Sequence, residues 1–245
     1  MNGIKKRAFT LAELLIVLGI IGIVAALTMP ALIASHKEKE TVTRLKKAYS
    51  TLSNAYNLAI AENSTPDDWD LFGAGTTLGA ERMMDKLTPY LKITKNCTRN
   101  QGCFPDVVYK YLNGNAAVNY NSSVNFSKMI LSDGILLASY VLNTSCTANY
   151  GSSAELEQVC GEFYIDINGF KPPNTTGKDL FRFIATKNTI IPYGTQDESY
   201  FPFYAHCKTG TLSDGRGCTA WVLLNENMEY LKCNDLSWNG KTKCK

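Results

Sequence analysis

The sequence predicts an α+β fold in which one long N-terminal helix, membrane-spanning over its first half, packs on an antiparallel β-sheet head stapled by disulfides. Three observations carry this reading. A single apolar run occupies residues 9–34 behind a short basic segment, helical periodicity continues to about residue 62, and all eight cysteines lie beyond that point among short apolar runs separated by Gly and Asn turns. The chain has 245 residues, 45% of them hydrophobic and 19% charged, which is too apolar and too weakly charged for a disordered polymer. With 25 Lys and Arg against 22 Asp and Glu the net charge is +3, so no phosphate-seeking surface and no nucleic-acid partner is predicted. Only His36 and His206 are present, which leaves multi-histidine metal sites and most histidine acid–base schemes short of parts.

The first segment, residues 1–8, carries Lys5, Lys6 and Arg7 and no acid. The 26 residues from Phe9 to Ala34 follow as one apolar run, and at ~1.5 Å of helical rise each they can cross a hydrocarbon layer of roughly 30 Å. The basic residues before the run should stay cytoplasmic, which places the rest of the chain on the far side of the membrane. A cleaved secretory signal has a shorter apolar stretch. It also has no reason to carry Glu13, a carboxylate five residues into the run, which costs about 2.5–3.5 kcal/mol at the middle of a membrane helix and asks for a partner. The run itself contains no Lys, Arg or His, so the economical cation is a backbone amine released by a cut just before Phe9.

At this point the chain resembles a known family. Lys5-Lys6-Arg7-Ala8 followed by Phe9-Thr10-Leu11-Ala12-Glu13-Leu14-Leu15 is similar to the leader and cleavage motif of type IV pilins and type II secretion pseudopilins. The resemblance covers roughly the first 60 residues. It implies a prepilin peptidase that cuts between Ala8 and Phe9 and methylates Phe9, with Glu13 and the helix-kinking Pro30 serving assembly. The family usually has Gly immediately before the cut, where this chain has Ala8. It further implies identical or sibling pilin subunits, an assembly platform with its ATPase and inner-membrane lipid as partners, and an inner-membrane location with a cytoplasmic N-terminus and an exported head. Loss of Lys5, Lys6 and Arg7 takes the side-chain charge from +3 to 0.

Beyond Pro30 the apolar positions Val42, Leu45, Tyr49, Leu52, Tyr56 and Ile60 fall 3, 4, 3, 4 and 4 apart, one stripe of an amphipathic helix over residues 35–62. Lys37, Lys39, Arg44, Lys46 and Lys47, interleaved with Glu38 and Glu40, read as a solvated face beside lipid headgroups. Gly19, Gly22, Ala25 and Ala26 let neighbouring helices approach closely, and repetition of a head-to-tail contact through Glu13 builds a filament. The turn residues 63–68 end the helix and open a head over residues 63–245. There Met83–Leu91 is expected as a second helix and Met129–Leu142 as two strands around the hairpin dipeptide Asp133-Gly134. Glu162–Ile167 and Leu180–Thr186 read as further strands, and Thr219–Leu231 is ambiguous between strand and helix.

Cys97, Cys103, Cys146, Cys160, Cys207, Cys218, Cys233 and Cys244 are even in number and lie in an exported segment, which favours disulfides. About a hundred connectivities are open to eight cysteines. Pairing of sequence neighbours is the expectation, and the absence of any C-x-x-C argues against zinc. In the loop from Asp166 to Asp179, the oxygens of Asp166, Asn168 and Asp179 are a candidate calcium set, although the spacing fails the EF-hand pattern; the rival is a Pro-stiffened turn whose Asp side chains bond local amides. His206 next to Cys207 reads as an exposed histidine beside a disulfide, and the aromatic run Tyr200–Tyr204 as core or subunit packing. No phosphate loop or nucleophile elbow appears, so no enzyme is indicated. The function expected is a filament subunit; the alternative is a membrane-anchored, adhesin-like ligand-binding protein that does not polymerise.

Overall fold

The computed structural model describes residues 10–73, 75–207 and 214–244. Its longest element is α1, Leu11–Asn63, 53 residues of unbroken helix that continue through Pro30. The chain divides into two compact units between Glu40 and Thr41.

In the first unit the 11–34 stretch of α1 is apolar apart from Glu13, and its large side chains are exposed. Leu11, Leu27 and Leu32 are more than two-thirds exposed, and a Cβ on Gly19 or Gly22 would find open space. A soluble helix does not leave such side chains in water, and this one is long and apolar enough to cross a membrane.

The second unit is an α+β head. Its sheet has six antiparallel strands in sequential order: β1 (Ile93–Thr98), β2 (Ser127–Leu131), β3 (Leu136–Val141), β4 (Val159–Asp166), β5 (Leu180–Thr186) and β6 (Ile190–Pro192). Each connection returns the chain to the neighbouring position, as antiparallel hairpins allow without a crossover. Asp133-Gly134 turns β2 into β3 with Gly134 at φ +81°, a conformation costly for any residue with a Cβ. Edge strand β6 is short and contains Pro192, which blunts it against pairing with another chain.

One sheet face lies against α1. The predicted stripe is the buried one, with Leu45, Leu52 and Tyr56 fully enclosed, and the small residues Ala48, Ala55 and Ala59 join it. Tyr49 stacks on Phe183 at 5.5 Å, Tyr56 meets Phe163 edge-on at 6.0 Å, and the Tyr56 hydroxyl donates to the Thr186 carbonyl at 2.6 Å. Period-2 alternation sends Phe163 and Ile165 of β4 and Phe181 and Phe183 of β5 to this face. The other face is also buried, under the loops at 99–126, 142–158 and 193–202, which contribute Phe104, Tyr109, Tyr120, Tyr150 and Phe201. All eight residues of β4 and all seven of β5 are therefore buried.

The second helix, α2, spans Thr77–Leu87 and not 83–91. It starts earlier because Gly79 lets the helix press on its neighbours: a Cβ there would lie 2.6 Å from the Phe72 carbonyl oxygen. It ends earlier because Pro89 stands in the 3-10 turn Thr88–Tyr90. Strands β1 and β6 were not anticipated. A four-residue helix α3 (Phe203–His206) precedes α4 (Thr219–Asn225), which with the 3-10 turn Glu229–Leu231 resolves the ambiguous segment as helical.

Candidate functional site

The expected cleavage position, Ala8 and Phe9, lies outside the described residues. Immediately after it, Thr10 and Glu13 lock the start of α1. The backbone N–H and the hydroxyl of Thr10 both donate to Glu13 Oε2 at 2.8 Å, and the Glu13 N–H donates to Thr10 Oγ1 at 3.2 Å. This is a reciprocal capping box, and the Thr-x-x-Glu spacing carried its signal in the sequence. It corrects the view of Glu13 as a lone acid: the carboxylate already has two donors within its own turn. Thr10 is neutral, however, so the cap satisfies hydrogen bonds and leaves the charge uncompensated in an apolar layer. Further along, Pro30 withholds the N–H that the Ala26 carbonyl would accept, while Thr28 donates its hydroxyl to the Val24 carbonyl at 2.9 Å.

Past residue 40 the basic cluster is not simply solvated. Lys47 reaches Asp133 at 2.9 Å and Lys46 pairs with Glu226, tying α1 to the hairpin turn and to the end of α4. Both pairs are exposed, so they contribute little to stability and mainly fix orientation.

Four disulfides staple the head: Cys97–Cys103, Cys146–Cys160, Cys207–Cys218 and Cys233–Cys244. Each joins consecutive cysteines, and every cysteine is used. A second staple is Lys128, fully buried on β2, whose ammonium donates to the carbonyls of Arg99, Asn121 and Ser123 at 2.9–3.0 Å. Burial holds this amine below the usual lysine range. Nothing in the sequence pattern distinguished it from a surface lysine.

Asp166, Asn168 and Asp179 do come together. Asp166 accepts the Asn168 and Gly169 N–H groups at 3.0 Å and the Tyr109 hydroxyl at 2.6 Å. Asp179 accepts the Asn174 N–H at 2.7 Å, the Thr175 N–H at 2.6 Å and the Asn168 side-chain amide at 3.2 Å. Every carboxylate oxygen thus faces a donor of the protein itself. Burial, reinforced by the Asp179 charge, pushes the Asp166 carboxyl up to about 8, and burial raises Asp179 as well. As built, the two carboxylates bond groups of their own turn, while the side-chain oxygens of Asn168 and Asn174 are buried without a hydrogen-bond partner; among the described residues no three His, Cys, Asp or Glu side chains form a metal cluster.

His206 is buried, not exposed: its Nδ1 lies 2.8 Å from Asp214 Oδ2 and its ring packs edge-on to Phe201 at 4.9 Å. Burial works to raise Asp214, but hydrogen bonds from Arg216 and His206 hold it below the usual range. Cys207 is bonded to Cys218 and offers no thiol beside the histidine. Nearby, Arg182 pairs with Glu162 between the rings of Tyr164, Tyr193 and Phe201, a buried ionic core for the loop-covered face.

No curated protein and no solved structure matches the chain significantly. Two family models do match. One, described as a family of unknown function, DUF6613, covers residues 31–204, and the other, the prokaryotic N-terminal methylation motif, covers residues 4–29. The chain therefore belongs to the family of unknown function DUF6613, and it joins that family's head to the prepilin-type N-terminus by which type IV pilins and pseudopilins are recognised.

Proposed function

We propose that the protein is a non-enzymatic structural subunit, a pilin or pseudopilin, of a type IV pilus or type II secretion pseudopilus. The observation that carries the reading is the coincidence of the methylation motif over residues 4–29 with the start of a continuous apolar helix whose first turn holds Glu13. Cleavage between Ala8 and Phe9 places a methylated ammonium one residue before the capping box. That ammonium, from the preceding subunit, neutralises the Glu13 charge that Thr10 leaves uncompensated, and so sets the axial register of each incoming chain. The gain is selectivity for correct register more than net stability, as for other buried ion pairs. The same contact repeated head to tail gives a filament, because each subunit offers one end and receives the other.

The helix anchors the chain in the inner membrane, with the head exported. Four disulfides in that head fit an oxidising compartment. A prepilin peptidase, sibling subunits and an assembly platform driven by an ATPase are the partners this reading requires. Mass spectrometry of the N-terminus of the exported protein tests it. N-methyl-Phe9 is expected, and a chain that retains Met1 while polymerising would refute it.

A further inference from the structure

The head contains a cleft of about 460 Å³ in which the turn after β6, the short helix α3 and the loop 236–239 meet. Phe203 forms its base, stacked on Trp221 at 4.2 Å, and Trp238 leans across both rings. Tyr204 stands on the wall, 68% exposed, beside the buried Phe203. The polar lining consists of amides and hydroxyls: Gln196 donates its side-chain amide to Asn239 Oδ1 at 2.9 Å, with Thr195 and Ser237 beside them. Among the described residues that line the cleft, none carries a charge.

We propose that this cleft binds an uncharged saccharide. The described lining offers a phosphate, carboxylate or ammonium no ionisable side chain to compensate it, so a charged ligand would lose its hydration there without return. The exposed ring of Tyr204 favours an apolar face, and the side-chain amides of Gln196 and Asn239 with the Ser237 hydroxyl favour a rim of hydroxyls. A pyranose ring presents both, C–H groups on one face and hydroxyls around the edge. The volume falls within the range of small-molecule sites. Both walls are fixed in advance, α3 by Cys207–Cys218 and the 236–239 loop by Cys233–Cys244, which lowers the ordering cost of binding. The site is independent of the assembly reading, because it uses no residue of α1.

Titration calorimetry of the detergent-solubilised full chain decides the matter, with maltotriose, cellotriose and chitotriose as neutral probes and trigalacturonate as the charged control. Saturable binding of at least one neutral trisaccharide is expected, weakened about tenfold or more by Tyr204→Ala and by Gln196→Ala at unchanged melting temperature. Tyr204 is exposed, so its replacement leaves the fold intact. Three results would overturn the proposal: no neutral probe saturating below about 10 mM, equal binding of trigalacturonate, or binding indifferent to both substitutions.

Discussion

Asp166 makes the stability of the head depend on pH in a direction opposite to most carboxylates. Its carboxyl is fully buried and pushed up to about 8, so between its ordinary 3.8 and about 8 the native state keeps a proton that the unfolded chain has released. Stability is then complete below about pH 4 and is lost as the pH rises through about 8. The span from 3.8 to about 8 corresponds to at most roughly 6 kcal/mol, a large share of a typical folding free energy. Asp179 and Glu198, both raised by burial, act with the same sign, whereas Asp214 acts only at more acidic pH. Replacing Asp166 by Asn mimics the protonated form. Its oxygen still accepts the Asn168 and Gly169 N–H groups, and its amide donates to the Tyr109 hydroxyl, which turns to accept. Asp166→Asn should therefore cost little at pH 5 and raise stability by several kcal/mol at pH 8. Chemical denaturation of the full chain in detergent at the two pH values, with and without calcium, measures this. A native head equally stable at pH 5 and pH 8 would refute the reasoning, as would an Asp166→Asn protein with an unchanged pH slope. Rescue of the native head at pH 8 by calcium would show that the ion binds these carboxylates.

Three further outcomes are expected. Glu13→Leu makes the span more apolar, by about 2.5–3.5 kcal/mol on insertion scales, so the protein stays in the membrane while filament yield collapses; normal filaments by electron microscopy would remove the register role. Thr10→Val deletes the reciprocal cap and should cost about 1 kcal/mol, seen as faster amide exchange confined to the first turn of α1, with Thr10→Ser restoring protection. Lys128→Met strands three buried carbonyls, and after allowance for the relief of a buried charge the head should lose about 2–4 kcal/mol, read as a lower denaturation midpoint without disulfide loss.

How much of this was legible in the chain itself depends on the range of the interaction. The apolar run, the basic leader, the Thr-x-x-Glu cap and the α1 stripe are local, period-bound patterns, because a helix repeats its contacts every few residues whatever surrounds it. The hairpin at Asp133-Gly134 and strand β5 are equally local, set by a left-handed glycine and a β-branched and aromatic run. What tertiary structure alone decided involves partners far apart in sequence. Lys128 is an interior cation only because three loop carbonyls converge on it, and His206 is buried only because Asp214 and Phe201 close over it. Strands β1 and β6 are too short or too polar to stand out in the sequence and are fixed by the edges that β2 and β5 offer them. The cleft beside α3 is the extreme case, since its residues come from three separate segments that acquire a common wall only when two disulfides hold them in place.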